Sequence, residues 1–142
     1  MYVLHKGIVH PWFCDVMGHM NVRHYVSMFD DASFQLLAEA TGWCPSAKDW
    51  QGKGWADVRH EIDYQGELYA GALVEIEGGI TKIGNSSFTA SFVMKNKMTG
   101  EKAATMTAKV VFFDLEARCS MSLTHDIREK MAARQIPGVS NE

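Results

Sequence analysis

The chain has 142 residues, 46% of them apolar and 22% charged, with a net charge of −3. That length sustains one hydrophobic core, and the absence of any lysine or arginine run excludes a phosphate-gripping nucleic-acid surface. No apolar run would cross a bilayer as a helix, and Met1 to Lys6 lack a basic stretch followed by an apolar core, so no membrane partner, no secretory leader and a cytoplasmic location are expected.

Residues Tyr2 to Trp12 place Val3, Ile8 and Val9 among aromatics and histidines and read as a first strand closed by Pro11. Cys14, Cys44 and Cys119 are scattered and odd in number, which reads as free thiols in a reducing compartment. Cys14 reads as a small packing residue rather than a nucleophile. Asp15 to Asn21 form a polar loop around Gly18. Val22, Tyr25, Val26, Phe29, Ser33, Leu36, Leu37 and Ala40 then recur at helical spacing as one apolar face. Asn21 is a natural N-cap and Gly42 a natural stop, which gives a helix of about 20 residues and about 30 Å.

After a loop from Trp43 to Gly54 the period changes to two. Val58, His60, Ile62 and Tyr64 alternate with Arg59, Glu61 and Asp63. Leu73 to Ile83 is a further extended run, interrupted at Gly78-Gly79, and Ser87 to Lys95 and Ala103 to Phe113 complete the strands, with a turn at Thr99-Gly100 between them. A short helix from Thr124 to Arg134 follows, and residues from Gln135 onward read as a loose tail. The expected organisation is one α+β domain over residues 1–134 with a tail at 135–142. One antiparallel sheet of about five strands packs on one long helix. An uncovered sheet edge predicts pairing with a second copy.

The loop before the long helix gathers an acid, a glycine, a histidine and an amide beside unpaired helix-start N–H groups. Such a terminus can stabilise the oxyanion formed when water attacks a thioester carbonyl, and Asp15 can act on that water or on the carbonyl itself. Asp and Asn are also ordinary turn and cap residues, and composition alone leaves both readings open.

The pattern Asp15-x-x-Gly18-His19-x-Asn21-x-x-x-Tyr25, preceded by an aromatic-rich strand, resembles the signature of the hotdog-fold thioesterases of the 4-hydroxybenzoyl-CoA thioesterase family. The helix length, Gly71 before a strand, the Gly84-Asn85-Ser86-Ser87 turn and Asp114 closing the last strand extend the likeness from about Val3 to Arg118. The resemblance implies an α+β hotdog fold, a curved antiparallel sheet wrapped round one long helix. It implies an acyl-CoA thioester as substrate, no metal or cofactor, and a homodimer or homotetramer with its sites at the dimer interface. Asp15 falls on the catalytic carboxylate, as general base or nucleophile, and the backbone N–H of Val22 on the group that polarises the carbonyl. Gly18, His19, Asn21 and Tyr25 would line the substrate. A hotdog (de)hydratase and a non-catalytic acyl-CoA-binding subunit are the alternatives; no dehydratase-like His-Pro loop is present.

Trp12 beside the loop and His60 on an alternating strand are further candidates for the substrate pocket. Six scattered histidines without an HExxH pattern speak against a metal site. Trp12, Trp43, Trp50 and Trp55 either fill core and interface or form an aromatic wall. With Asp15, Asp30, Asp31 and Asp49 nearby in sequence, such a wall would suit a quaternary ammonium acyl group, as in hotdog betainyl-CoA thioesterases. Lys82, Lys95, Lys97 and Arg118 are candidates for the CoA phosphates, and equally ordinary surface charges.

Overall fold

The computed structural model describes residues 1–138. Its order is strand β1 (Tyr2–Ile8), helix α1 (Val22–Thr41), strands β2 (Lys53–Tyr64), β3 (Leu73–Ile83), β4 (Ser87–Asn96), β5 (Lys102–Asp114) and β6 (Cys119–Ser120), then helix α2 (His125–Ala133). Short turns of one 3₁₀ helix each lie at Pro11–Phe13 and Lys48–Trp50. The five long strands form one antiparallel sheet in the order β1-β3-β4-β5-β2, with β6 added to the end of β5. The α+β class and the order strand, long helix, four strands are as expected.

Helix α1 begins after Asn21 and ends at Gly42, whose φ of +78° is the left-handed conformation that glycine adopts without strain. Its buried residues are Tyr25, Met28, Phe29, Ala32, Ser33, Leu36, Leu37, Ala40 and Thr41. The apolar face is therefore rotated from the expected one. Val22 and Val26 point outward, at 54% and 39% exposure, and Met28 and Ala32 take their place.

Chain contacts fall into two compact units. The first holds Met1–Gln35, Ile62–Gly78 and Phe92–Met106. There β1 pairs antiparallel with β3, from Tyr2 opposite Gly78 to Ile8 opposite Leu73, with an irregularity between Val3 and His5. Its core gathers Phe29, Leu68, Val74, Ile76, Phe92, Met94 and Met106, and the Phe29 and Phe92 rings meet edge to face at 6.4 Å. The second unit holds Leu36–Glu61, Gly79–Ser91 and Thr107 onward. Its core is Leu36, Ile80, Phe88, Ala90, Val110, Phe112, Ile127 and Met131. Thr41, fully buried, donates its hydroxyl to the Leu37 carbonyl at 2.6 Å and accepts from the Trp43 N–H at 3.1 Å. The Thr124 hydroxyl caps α2 by accepting from Ile127 N–H.

Three expectations are corrected. The first strand stops at Ile8, and Pro11 opens a 3₁₀ turn instead of closing a strand, because its fixed φ suits the first position of a helical turn. Strand β3 runs unbroken through Gly78-Gly79. A Cβ on Gly79 would lie 2.8 Å from the Ile136 side chain, so glycine is needed for packing rather than for a break. Ile136 and Gln135 are in turn tied down by hydrogen bonds to the Ile80 and Thr81 carbonyls, so the start of the expected loose tail is anchored; residues 139–142 of that tail lie outside the described residues.

Phe29 has no solvent exposure. Phe29→Ala is expected to cost about 3–5 kcal/mol of unfolding free energy in urea titrations. A cost under about 1 kcal/mol would show that the ring is not core-packed.

Candidate functional site

The loop before α1 is closed on itself. Cys14 and Met20 form an isolated antiparallel bridge, and Asn21 N–H donates to the Phe13 carbonyl at 2.9 Å. Inside it, Asp15 N–H donates to the His19 carbonyl at 3.1 Å and Gly18 N–H to the Asp15 carbonyl at 3.0 Å. Gly18 has φ +88° and open space where a Cβ would stand. Glycine adopts that left-handed turn without strain.

Asp15 is fixed at both oxygens. Oδ1 accepts from Met17 N–H at 2.9 Å, and Oδ2 accepts from the Asn21 Nδ2 amide at 3.1 Å. The other end of that amide, Asn21 Oδ1, accepts from Arg23 N–H at 3.1 Å, which is the N-cap bond of α1. One side chain therefore caps the helix and holds the acid. The Asn21 bond, then the Met17 bond, lower the Asp15 carboxyl below its ordinary value, and nearby His19 adds to the effect.

The segment after β2 closes the other side. Met20, buried, donates its N–H to the Leu68 carbonyl at 2.7 Å, and the Tyr25 hydroxyl donates to the Gly66 carbonyl at 3.1 Å. Burial raises the Tyr25 phenol above its ordinary value and keeps it a donor. A pocket of about 280 Å³ opens between loop, helix start and this segment, lined by His19, Met20, Val22, Tyr25, Tyr64, Gln65, Gly66 and Glu67. Tyr25 and Tyr64 meet edge to face at 5.2 Å.

Of the candidate residues, His19, Val22 and Tyr25 line this pocket, whereas Asp15, Gly18 and Asn21 stand in the adjoining loop and are not among its lining residues. Trp12 is 73% exposed and stacks on His10 at 4.5 Å, outside this pocket's lining. His60 is likewise not among the lining residues and faces Asp57 at 3.3 Å on β2. Trp50 and Trp55 pack with one another and with Phe112, and Trp55 also with Phe88. Lys95 is paired with Glu77 at 3.1 Å, and the Arg118 guanidinium lies over the Phe113 ring. The cysteines are free thiols. Tyr64, Gln65 and Glu67 were not anticipated. The Met20 bond to Leu68 and the Tyr25 bond to Gly66 bring the stretch from Gln65 to Tyr69 to the pocket.

Asn21→Ala removes both bonds. The Asp15 carboxyl is expected to rise toward its ordinary value in a carboxylate NMR titration, and lost capping to cost about 1 kcal/mol. A depressed acid stabilises the fold above its unfolded pKa and stops doing so as pH falls through its folded pKa. The Asp15 part of the loss should therefore be present at neutral pH and vanish in acid. An unchanged Asp15 titration would refute the bridge.

The model of the thioesterase-like superfamily matches residues 9–135. No curated protein matches the chain. Solved structures do. The Staphylococcus aureus hypothetical protein SAV2348, in complex with CoA, has a TM-score of 0.85 at 17% identity, over 100% of this chain and 92% of that one. Slr0204, a 1,4-dihydroxy-2-naphthoyl-CoA thioesterase from Synechocystis, has a TM-score of 0.77 at 15% identity, over 90% and 93%. The probable thioesterase YbaW from Escherichia coli has 0.73 at 20%, over 89% and 93%. At such identities the likeness shows the fold, which is the hotdog fold.

Proposed function

The chain belongs to the thioesterase-like superfamily, and on that premise we propose that it hydrolyses an acyl-CoA thioester to a carboxylate and CoA at Asp15. The observation that carries this reading is the Asn21 amide, which ties the Asp15 carboxylate to the first turn of α1. In the proposed reaction the thioester carbonyl lies against the helix start, where Val22 N–H and the helix dipole stabilise the oxyanion. Asp15, ionised at neutral pH, takes a proton from the attacking water or attacks the carbonyl itself. The reaction uses the chain's own groups and water, with no metal or cofactor.

The acyl group is a finer matter. A cationic group such as betainyl finds support in Tyr25, Tyr64 and Glu67 of the pocket. Named relatives of this fold include thioesterases for hydroxylated aromatic acyl groups, such as Slr0204, which makes those the comparison substrates. Faster release of thiol from betainyl-CoA than from butyryl-CoA or an aromatic acyl-CoA would select the cationic group; the reverse order would discard it.

The proposed enzyme is a cytoplasmic homodimer or homotetramer whose partner completes the site. Among the described residues no helix is long and apolar enough to cross a membrane. Strand β2 ends the sheet, and Asp57 to Glu61 are exposed on both of its faces. Around Asp15, Trp12, Val16, Met17 and Val22 are exposed apolar side chains. Both features fit burial against a second copy. Light scattering should show at least a dimer, and full activity in a monomer would refute completion by a partner.

Asp15→Asn should lower kcat for thiol release by about a hundredfold or more, with the native fold retained in circular dichroism. Unchanged kcat would remove Asp15 from the mechanism. Hydration of an enoyl-CoA without thiol release would favour the (de)hydratase instead.

A further inference from the structure

The pocket beside the Asp15 loop is lined by an acid–base pair that the Asp15 reaction leaves unused. His19 Nε2 lies 3.6 Å from Glu67 Oε1. The other carboxylate oxygen, Oε2, accepts from the Tyr69 hydroxyl at 2.6 Å. His19 and Tyr69 rings stand edge on at 6.5 Å. His19 and Glu67 both line the pocket into which Val22 faces, and the backbone of His19 is fixed by the Asp15 N–H. Glu67 is thus gripped from one side and turned to the imidazole on the other. Its side chain is 58% exposed, so these two contacts, rather than burial, set its orientation.

We propose that His19, as imidazolium, is the acid that protonates the departing CoA sulfur, and that Glu67, held by Tyr69, is the positioning residue that orients and charges it. The inference rests on the thioesterase reading above. In the step, water loses a proton to the Asp15 carboxylate as the new C–O bond forms, and the carbonyl oxygen takes the negative charge at the helix start. When the C=O bond re-forms, the C–S bond breaks and its electron pair leaves on sulfur. The sulfur takes the His19 proton, leaving a neutral imidazole. Asp15 then returns its proton to solvent and His19 regains one, so the cycle closes with no net oxidation or reduction.

The charged and titratable groups facing His19 are Asp15 from its own loop and Glu67 and Tyr69 from the segment after β2. The Glu67 carboxylate keeps the Tyr69 phenol above its ordinary value, so Tyr69 remains a donor. A required imidazolium makes activity fall as pH rises and the proton is lost.

The test is the pH profile of kcat for thiol release, with butyryl-CoA as probe, for the full chain and the variants Glu67→Gln, Tyr69→Phe and His19→Gln. Removing the Glu67 charge should move the basic limb to lower pH by about half a unit, with KM little changed. Tyr69→Phe should move it in the same direction by less, and Glu67→Asp should restore part of the shift. His19→Gln should abolish that limb and lower kcat by about a hundredfold. An unmoved limb in both Glu67→Gln and Tyr69→Phe, or a limb retained in His19→Gln, overturns the inference. Should Glu67→Gln fail to fold, Tyr69→Phe decides the matter. Failure here leaves the Asp15 reading standing, whereas an Asp15→Asn variant with wild-type kcat would remove that reading and this one together.

Discussion

The loop before α1 depends on a single primary amide. Asn21 accepts from the helix at one end and donates to Asp15 at the other. A helix start leaves N–H groups that its own backbone cannot pair, and a short polar side chain ordinarily answers one of them. Here that same side chain has a second hydrogen-bonding group left over, and it is spent on a carboxylate. Aspartate in place of Asn21 would cap as well but would repel Asp15. Serine would cap but would not reach both ways with fixed polarity. The acid's position and the helix's beginning are thereby one geometrical fact, and the bridge Cys14–Met20 and the Gly18 turn set the loop's span around it.

Much of this was readable from residues because the relevant physics is local. The 3.6-residue recurrence from Tyr25 to Ala40 marks a helix with one buried face, and Asn21 and Gly42 bound it by well-understood end effects. The alternation in β4 through Phe88, Ala90, Phe92 and Met94 is a period that only a strand satisfies. What failed was non-local. The outward turn of Val22 and Val26, with Met28 and Ala32 buried instead, depends on how the helix is rotated against its neighbours. No spacing rule carries that angle.

The site shows the same division. Asp15, Gly18, His19, Asn21 and Val22 are close in sequence and close in space. Glu67 and Tyr64 reach the same pocket from a segment some forty residues on, through a bond between the Tyr25 hydroxyl and a backbone carbonyl. A carbonyl is the same in every residue, so the sequence marks nothing at Gly66. The tryptophans cluster in the chain; in the structure Trp12 stacks on His10 while Trp50 and Trp55 join an aromatic group with Phe88 and Phe112.

The contact between Gly79 and Ile136 has a further meaning. The isoleucine occupies the room that any side chain at 79 would need, and the two are more than fifty residues apart along the chain. A larger residue at 79 becomes tolerable only once 136 has shrunk. A smaller residue at 136 leaves a void until 79 has grown. Across homologues the two positions should therefore change as a linked pair, large–small exchanged for small–large, with glycine retained wherever the branched side chain is kept.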